Sequence, residues 1–510
     1  MVMEERRRIS HLLRRAGFGA TPDELDRYVK LGFDATLDVL LHPEKVTERD
    51  LDGGFAALGL DATSPGGIQS RWLHRMVNTN RPLSEKIALF WHGHFATSIE
   101  KVKSTTIMWQ QYELLRDHGL GTFHDLALGV AQDPAMLIWL DNAKSKAQAP
   151  NENFGREFLE LFTLGVGNYT EADVKASSRA FTGWSLQFAQ GVQGGDSGSQ
   201  PDLATASAAD QAATAKKRKS GKVDKTVGAD PSQQAVIDAK QQAKADRRVR
   251  GADFLLRAKW HDDGAKTFLG ETGPLDGDDI VRIVSGSPAC AQFITRKLFS
   301  FFVWDKPDDK TLAPFVAAFT ASGGDIRQTL SVIFQSPEFS SDLAYRAKVR
   351  GPVEYVVATC RQLGMTELKP GLAQGLQGMG QTLFAPPNVG GWPSGLGWIG
   401  PSALLNRYNL VLGLLGGSTA AKRKKGAASP YLSSLLQASS GQPSSKIVDS
   451  VVLQLLYGDL KQEEHDALAA YLDIDPKVAA TPFSSDAEWA AAKLAGLVRL
   501  VAATPIYQRS

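Results

Sequence analysis

The sequence of 510 residues predicts an all-α fold: one large, irregular helical body with long loops, a disordered insertion and a small C-terminal helical module. Apolar residues recur at the 3.6-residue spacing of a helix through most of the chain, whereas the alternating runs typical of strands are scarce. Three apolar stretches each end in a polar residue followed by a proline, at Pro134, Pro337 and Pro505. This pattern predicts the end of a helix, because the residue before a proline is disfavoured in the α conformation.

Taken in order, the periodic stretches predict a series of helices separated by Gly, Pro and polar residues. The predicted helices are 9–16, 22–31, 82–95, 122–140, 151–164, 170–184, 277–303, 312–336, 352–363, 447–457, 463–472 and 487–504. They divide the chain into a first part of the core (1–187), an insertion (188–251), a second part of the core (252–415), a linker (416–430) and a terminal module (431–510).

The insertion at 188–251 is rich in Ala, Gln, Ser, Gly and Asp, with basic clusters at 216–219 and 247–250. It has almost no aromatic residues, so it cannot bury enough surface to offset the entropy of ordering. We expect a disordered tether with a transient helix at 233–244. Its basic clusters are either solvated or contacts for an acidic partner or a nucleic acid.

Charge and cysteine content narrow the class of protein. A formal net charge of +2 argues against a dedicated nucleic-acid binder. Cys290 and Cys360 lie in apolar helical stretches and have neither zinc spacing nor a disulfide framework. With no stretch typical of a signal peptide or of a membrane helix, the expected location is the cytoplasm.

The helix predicted at 151–164 carries the densest group of ionisable residues. At about 100° per residue, one face gathers Glu152, Asn153, Glu157 and Glu160, and the opposite face is apolar. Glu157 and Glu160 are near enough to bind one cation or share one proton. The other interpretation is a solvated salt-bridge ladder through Arg156. Glu157 lies where the two faces meet, so we expect it to be partly buried.

Two further stretches supply candidate ligands. His92 and His94 can bind one ion together only if the helix ends between them; otherwise they pack in the core. The loop at 380–400 has six glycines and three prolines, and it carries Asn388, Trp392 and Trp398. Its two tryptophans either pin the loop onto the helical body or stack on a sugar or another flat ligand.

The usual catalytic signatures are absent: there is no GxSxG, Walker phosphate loop, HExxH or dinucleotide-binding glycine motif. Several stretches instead resemble the bacterial family called domain of unknown function 1800. They are HLLRRAGFG at 11–19, KIALFWHGHF at 86–95, the segments 151–174 and 180–184, HDDGAKTFLG at 261–270, SPEF at 336–339 and LFAPPNVGGWPSGLGWI at 383–399. This resemblance implies a large, mainly helical bacterial protein, often exported, and it supplies no catalytic residues.

Two hypotheses of function follow. The first is a metal-dependent enzyme or metal-binding protein, with Glu157 and Glu160 as catalytic carboxylates and His92, His94 and Glu157 as ligands of a divalent transition metal. Asn153, Glu152, Asn388, Trp392 and Trp398 would then bind the ligand. The second is a binding or assembly protein without chemistry. The resemblance implies, as its partner, a sulfatase-like protein of the family of unknown function 1501, and a polysaccharide is the other candidate.

Overall fold

The structure, a computed structural model, describes residues 2–189, 250–368, 371–415, 429–473 and 487–510. Over these residues it contains 23 α-helices and only two small β-sheets, which confirms the predicted all-α class. No helix in this part of the chain is long and apolar enough to cross a bilayer. The helix predicted at 233–244 lies outside the described residues, as do most of the insertion and of the linker.

Twelve α-helices and one π-helix precede the first strand. They are α1 (Val2–Arg15), α2 (Pro22–Leu31), α3 (Phe33–Leu41), α4 (Leu51–Ala56), α5 (Pro65–Asn78), α6 (Pro82–His94), α7 (Ile99–Val102), α8 (Thr105–His118), α9 (Phe123–Gln132), α10 (Pro134–Trp139), α11 (Glu152–Glu157), the π-helix (Phe158–Thr163) and α12 (Glu171–Ala180).

Four short strands and eleven α-helices follow. They are β1 (Trp184–Phe188), β2 (Ala252–Leu256), β3 (Lys266–Phe268), β4 (Glu271–Gly273), α13 (Gly277–Ser285), α14 (Pro288–Phe302), α15 (Asp309–Ala321), α16 (Ile326–Gln335), α17 (Pro352–Gln362), α18 (Leu372–Gly378), α19 (Pro401–Leu414), α20 (Pro430–Ser439), α21 (Ser444–Leu456), α22 (Gln462–Asp473) and α23 (Ala487–Ala503).

Two helices that the sequence predicted as continuous are each divided in two, and the helix stop predicted at Pro134 divides a third stretch. The predicted stretches 122–140, 277–303 and 312–336 break before α10, α14 and α16. At each break a short polar side chain, Asp133, Ser287 or Asp325, accepts a hydrogen bond from a backbone N–H in the first turn of the next helix. Apolar periodicity continues across such a capped break, so the pattern alone does not reveal it.

The residue Trp184 begins a strand, where the sequence predicted the end of a helix. Helix α12 ends at Ala180 because Gly183 adopts a φ of +81°, and a Cβ there would lie 2.8 Å from the Arg257 carbonyl oxygen. Strand β1 then pairs antiparallel with β2, with Phe188 opposite Ala252. The predicted insertion therefore joins two hydrogen-bonded strands.

The helix predicted at 151–164 has the expected extent but changes type midway. Asn151 caps α11 by accepting from the backbone N–H groups of Asn153 and Phe154. The chain then widens into the π-helix, in which the Thr163 hydroxyl donates to the Phe158 carbonyl oxygen at 2.7 Å. π-Helices are rare and occur often at functional sites.

The buried side chains form two hydrophobic clusters. One lies among α1–α3, α6, α9–α12 and α13–α16 and contains Trp91, Phe158 and Phe299. The other joins α5 and α8 to α17–α23 and contains Trp72 and Val451. Helices of the predicted terminal module thus share a hydrophobic core with α5 and α8. The region where α1, α6 and α17 approach one another lies between the two clusters.

Candidate functional site

His92 and His94 both lie in α6, because the helix continues through Gly93. Both side chains are buried. The His92 ring packs between Trp72, Phe384 and Trp392, and its Nε2 accepts from the Phe384 N–H at 3.0 Å. Burial lowers the pKa of His92 to about 3. His92 is therefore a neutral core residue. It fixes the position of the loop at 380–400, which we call the Gly/Trp loop.

His94 uses both ring nitrogens within the protein. Its Nε2 donates to the Phe162 carbonyl oxygen of the π-helix at 2.9 Å, and its Nδ1 accepts from the Lys297 ammonium at 3.0 Å. Burial, and then Lys297, lower the pKa of His94 well below its ordinary value. Burial also lowers the pKa of Lys297 to about 8. Lys297 was not among the site residues predicted from the sequence.

The predicted carboxylate face is present on α11 and the π-helix. Glu152 and Asn153 are exposed, whereas Glu157 is half-buried, as the sequence predicted. Burial, and then Glu160, raise the pKa of Glu157. Glu160 accepts from the Tyr169 hydroxyl. Arg156, the cation of the predicted salt-bridge ladder, has Glu171 as its partner. It binds both carboxylate oxygens of Glu171, at 2.7 and 2.8 Å.

The predicted metal-ligand set is not assembled. Among the described residues, no group of three or more His, Cys, Asp or Glu side chains is placed to hold a metal ion. The physical reason is that His92 and His94 point to different sides of one continuous helix, and each is engaged by other groups.

The Gly/Trp loop is pinned to the body at both tryptophans. Trp398 is 7% exposed, and its carbonyl oxygen accepts from Arg407 at 3.5 Å. Trp392 is half-buried, with its ring 5.2 Å from that of His92. Asn388 is exposed, and its side chain accepts from the Gly390 N–H at 2.9 Å. The loop thus has two exposed polar side chains, Asn388 and Ser394, but no tryptophan face fully open to solvent.

A cavity that the sequence analysis did not predict lies where α1, α6 and the start of α17 meet. Its empty space of about 180 Å³ includes open solvent, and the enclosed part has room for about one water molecule; we call it the basic cavity. Its lining residues are Arg14, Gly17, Phe18, Gly19, Lys86, Arg350, Glu354, Ala358 and Ser510.

The two arginines of the basic cavity have nitrogen atoms without acceptors. Arg14 and Arg350 are each 2% exposed. Arg14 Nη1 donates to the Ser10 hydroxyl at 3.1 Å, but its Nε and Nη2 have no hydrogen-bond partner among the described residues. Nη1 and Nη2 of Arg350 also lack a hydrogen bond of good geometry, although the guanidinium lies 4.7 Å from the centre of the Tyr507 ring and interacts with the Tyr507 hydroxyl group. Four buried nitrogens are therefore unpaired.

Among the described side chains around the basic cavity, positive charge exceeds negative charge. Lys86 pairs with Glu354, and Lys348 pairs with Asp305 just outside the lining, which leaves Arg14, Arg15 and Arg350 without a paired carboxylate in the described residues. Burial, and then Arg14, lower the pKa of the Arg15 guanidinium to about 9. Such a shift indicates a buried cation whose charge is not neutralised.

Motifs far apart in sequence converge on this cavity. The stretch 11–19 supplies Arg14 and the Gly17–Gly19 wall, and the stretch 86–95 supplies Lys86. The Gly/Trp loop reaches its edge, because a Cβ on Gly351 would lie 3.7 Å from Trp398 Nε1. His11 also binds the carbonyl oxygen of Phe339, in the SPEF stretch, at 3.1 Å. The sequence contains one indication of this site: two adjacent arginines, Arg14 and Arg15, directly follow the apolar residues Leu12 and Leu13.

Comparison with known proteins gives one match. A family model with the description "Protein of unknown function (DUF1800)" matches residues 11–509, nearly the whole chain. No curated protein and no solved structure matches.

Proposed function

The chain belongs to the DUF1800 family, whose description assigns no activity, and from its site we propose that it binds a small oxoanion in the basic cavity. Arg14 from α1 and Arg350 from the turn before α17 are the proposed ligands, and Lys86 adds positive charge. This is a binding function, in the second of the two classes that the sequence predicted.

The observation that carries the proposal is the set of four unpaired guanidinium nitrogens on Arg14 and Arg350. A buried donor without an acceptor costs about 1–3 kcal/mol, and more when it is charged. An oxoanion supplies several acceptor oxygens and a compensating charge, and arginine binds such groups through paired N–H donors. Binding would therefore remove an energetic cost that the empty protein carries.

The surrounding charges favour an anion over a cation as the ligand. The described groups around the cavity include Arg14, Arg15 and Arg350 without paired carboxylates, so a metal ion would meet net repulsion there. The cavity is too small for a sugar chain, and an oxoanion, being larger than a water molecule, would have to widen it or extend into its open side.

The first test is thermal unfolding of the full chain in sodium phosphate or sodium sulfate, against sodium chloride of equal ionic strength. A ligand at a hundredfold its Kd stabilises the folded state by about 2.7 kcal/mol, so Tm should rise by a few degrees in at least one oxoanion. Arg350→Met should abolish the rise. Arg282→Met is the matched control, because it removes the same charge from an exposed position. No oxoanion-specific rise, or its loss in both variants, refutes the proposal.

The same variant separates a binding residue from a structural one. In chloride alone, Arg350→Met should leave stability unchanged or raise it by about 1–2 kcal/mol, because it removes unpaired donors. Arg407→Met should destabilise instead, because Arg407 is equally buried but donates to Gln508 Oε1 at 2.8 Å and to the Arg350 carbonyl oxygen at 2.7 Å. Equal losses in urea titrations of the two variants would identify Arg350 as structural.

Glu157 and Glu160 support a second candidate function, proton transfer, because the raised pKa of Glu157 suits a general acid or base. The metal-dependent form of this hypothesis predicts bound metal in the purified protein and altered divalent-ion binding in Glu157→Gln. A metal-free protein, with ion binding unchanged in the variant, rules it out. The predicted sulfatase-like partner and polysaccharide ligand stay predictions for pull-down experiments.

A further inference from the structure

We propose that the oxoanion is a phosphate group that carries a proton, and that the carboxylate of Glu354 selects it over sulfate. This inference rests on the proposed anion-binding function of the basic cavity. It adds a discriminating residue, because Arg14 and Arg350 attract any oxoanion whereas Glu354 presents a negative charge to the same small space.

Glu354 is held in the first turn of α17 by two contacts. Its Oε2 accepts from the Gly351 N–H at 2.8 Å, and its Oε1 pairs with the Lys86 ammonium. The side chain is 17% exposed and lines the basic cavity. Each carboxylate oxygen has two lone pairs, so both retain the capacity to accept one more hydrogen bond. The cavity wall therefore contains a fixed acceptor beside the unpaired arginine donors.

The carboxyl group of Glu354 is ionised near neutral pH. Burial alone would raise its pKa, but the charge of Lys86, the hydrogen bond from Lys86 and the Gly351 N–H together lower it below its ordinary value. An ionised carboxylate accepts hydrogen bonds and cannot donate them. It binds a ligand oxygen favourably only when that oxygen carries a proton.

This requirement distinguishes phosphate from sulfate. The second pKa of a phosphate monoester is about 6, so roughly a quarter of it carries a proton at pH 6.5, whereas inorganic phosphate always retains at least one proton there. An O–H donor to a carboxylate forms a short, strong, charge-assisted hydrogen bond. Sulfate has no proton near neutral pH and would place unprotonated oxygens against Glu354, which is a repulsive contact. Specificity of this kind combines attraction of one ligand with repulsion of another.

The test is isothermal titration calorimetry on the full chain at pH 6.5 with sodium phosphate and with sodium sulfate. We expect phosphate to bind at least tenfold more tightly. In Glu354→Gln, the amide can donate to sulfate, so the preference should shrink or reverse. Glu367→Gln, which changes an exposed glutamate, should keep the wild-type preference. O-Phosphoserine in a parallel titration identifies the source: binding as tight as that of inorganic phosphate indicates a phosphomonoester end, and weaker binding indicates free phosphate.

A second variant covers loss of folding in Glu354→Gln, which leaves Lys86 without its partner. Lys86→Met with Glu354→Gln removes the ion pair as a unit and retains both arginines. This double variant should bind sulfate at least as tightly as phosphate. If sulfate matches phosphate in the wild type and both depend on Arg350, the selection by Glu354 is wrong and anion binding stands. If neither anion binds, the proposed function itself fails.

Discussion

Single side chains in this protein show how burial alone determines protonation. His92 has no charged partner among the described residues, and its pKa falls to about 3 because the ring lies among Trp72, Phe384 and Trp392. The same desolvation acts on Lys297, whose nearest polar group is the neutral ring of His94. Residues that looked like metal ligands in the sequence are therefore kept uncharged by the core.

The buried His92 makes a specific contribution to acid sensitivity. Its pKa is about 3 in the folded state and about 6.5 in the unfolded state. The folded state therefore binds fewer protons between these values, and stability that is present above pH 6.5 is lost as the pH falls, by up to about 1.4 kcal/mol per unit.

Urea denaturation at pH 7 and pH 5 tests this contribution. In His92→Gln, whose amide oxygen can still accept from the Phe384 N–H, the loss between the two pH values should be smaller by about 2 kcal/mol. His118→Gln, at an exposed position, should lose as much as the wild type. An identical loss of stability in all three proteins would show that His92 does not become protonated on unfolding between these pH values.

At the scale of elements, the Gly/Trp loop depends on one close approach of two main chains. Gly391 has a φ of +84°, and a Cβ on it would overlap the carbonyl oxygen of Gly93 in α6. Gly391→Ala combines this overlap with a left-handed backbone, and should cost roughly 2–4 kcal/mol.

Gly400→Ala is the control for the loop, because a Cβ there meets nothing within 4 Å and its φ of −111° suits any residue. Chemical denaturation should show a large loss of stability for the first variant and little change for the second. Equal stability of the two would mean that the loop does not rest on α6.

The sequence predicts helices better than it predicts what joins them. The boundaries of 22–31 and 352–363 agree with α2 and α17 to within a residue, because periodicity, proline and capping residues act locally. The π-helix could not be predicted, since its carbonyl oxygens bind His94 and Lys297, both distant in sequence. The same limit applies to the site: the glutamates share one helix face and are visible in the sequence, whereas Arg14 and Arg350 meet only in the folded chain.

At the scale of the whole molecule, we predict that the insertion can be removed without loss of the fold. The chain leaves the core at β1 and returns at β2, where the Ala189 N–H donates to the Gly251 carbonyl oxygen at 3.0 Å. The two ends are therefore adjacent, and a short linker can join them. Closing a loop costs free energy that grows only with the logarithm of its length, so tens of residues add roughly 1–2 kcal/mol.

Replacement of residues 192–248 by a short Gly-Ser linker should leave Tm unchanged or slightly raised. Anion-induced stabilisation should also persist, because the proposed ligands Arg14 and Arg350 lie outside the replaced segment. A drop of many degrees in the melting curve would instead show that the segment contributes to the core.

Arg14 and Arg350, the two arginines of the basic cavity, are far apart in sequence, so they are synthesised at different times. At the usual rates of translation, Arg350 leaves the ribosome roughly 20–70 s after Arg14. Over that interval Arg14 lacks the ring of Tyr345, whose centre lies 5.0 Å from its guanidinium in the folded chain. Because Ser510 also lines the cavity, a ligand can meet the full lining only in chains that have been made through that residue. Such a ligand would stabilise those molecules and leave shorter ones unchanged.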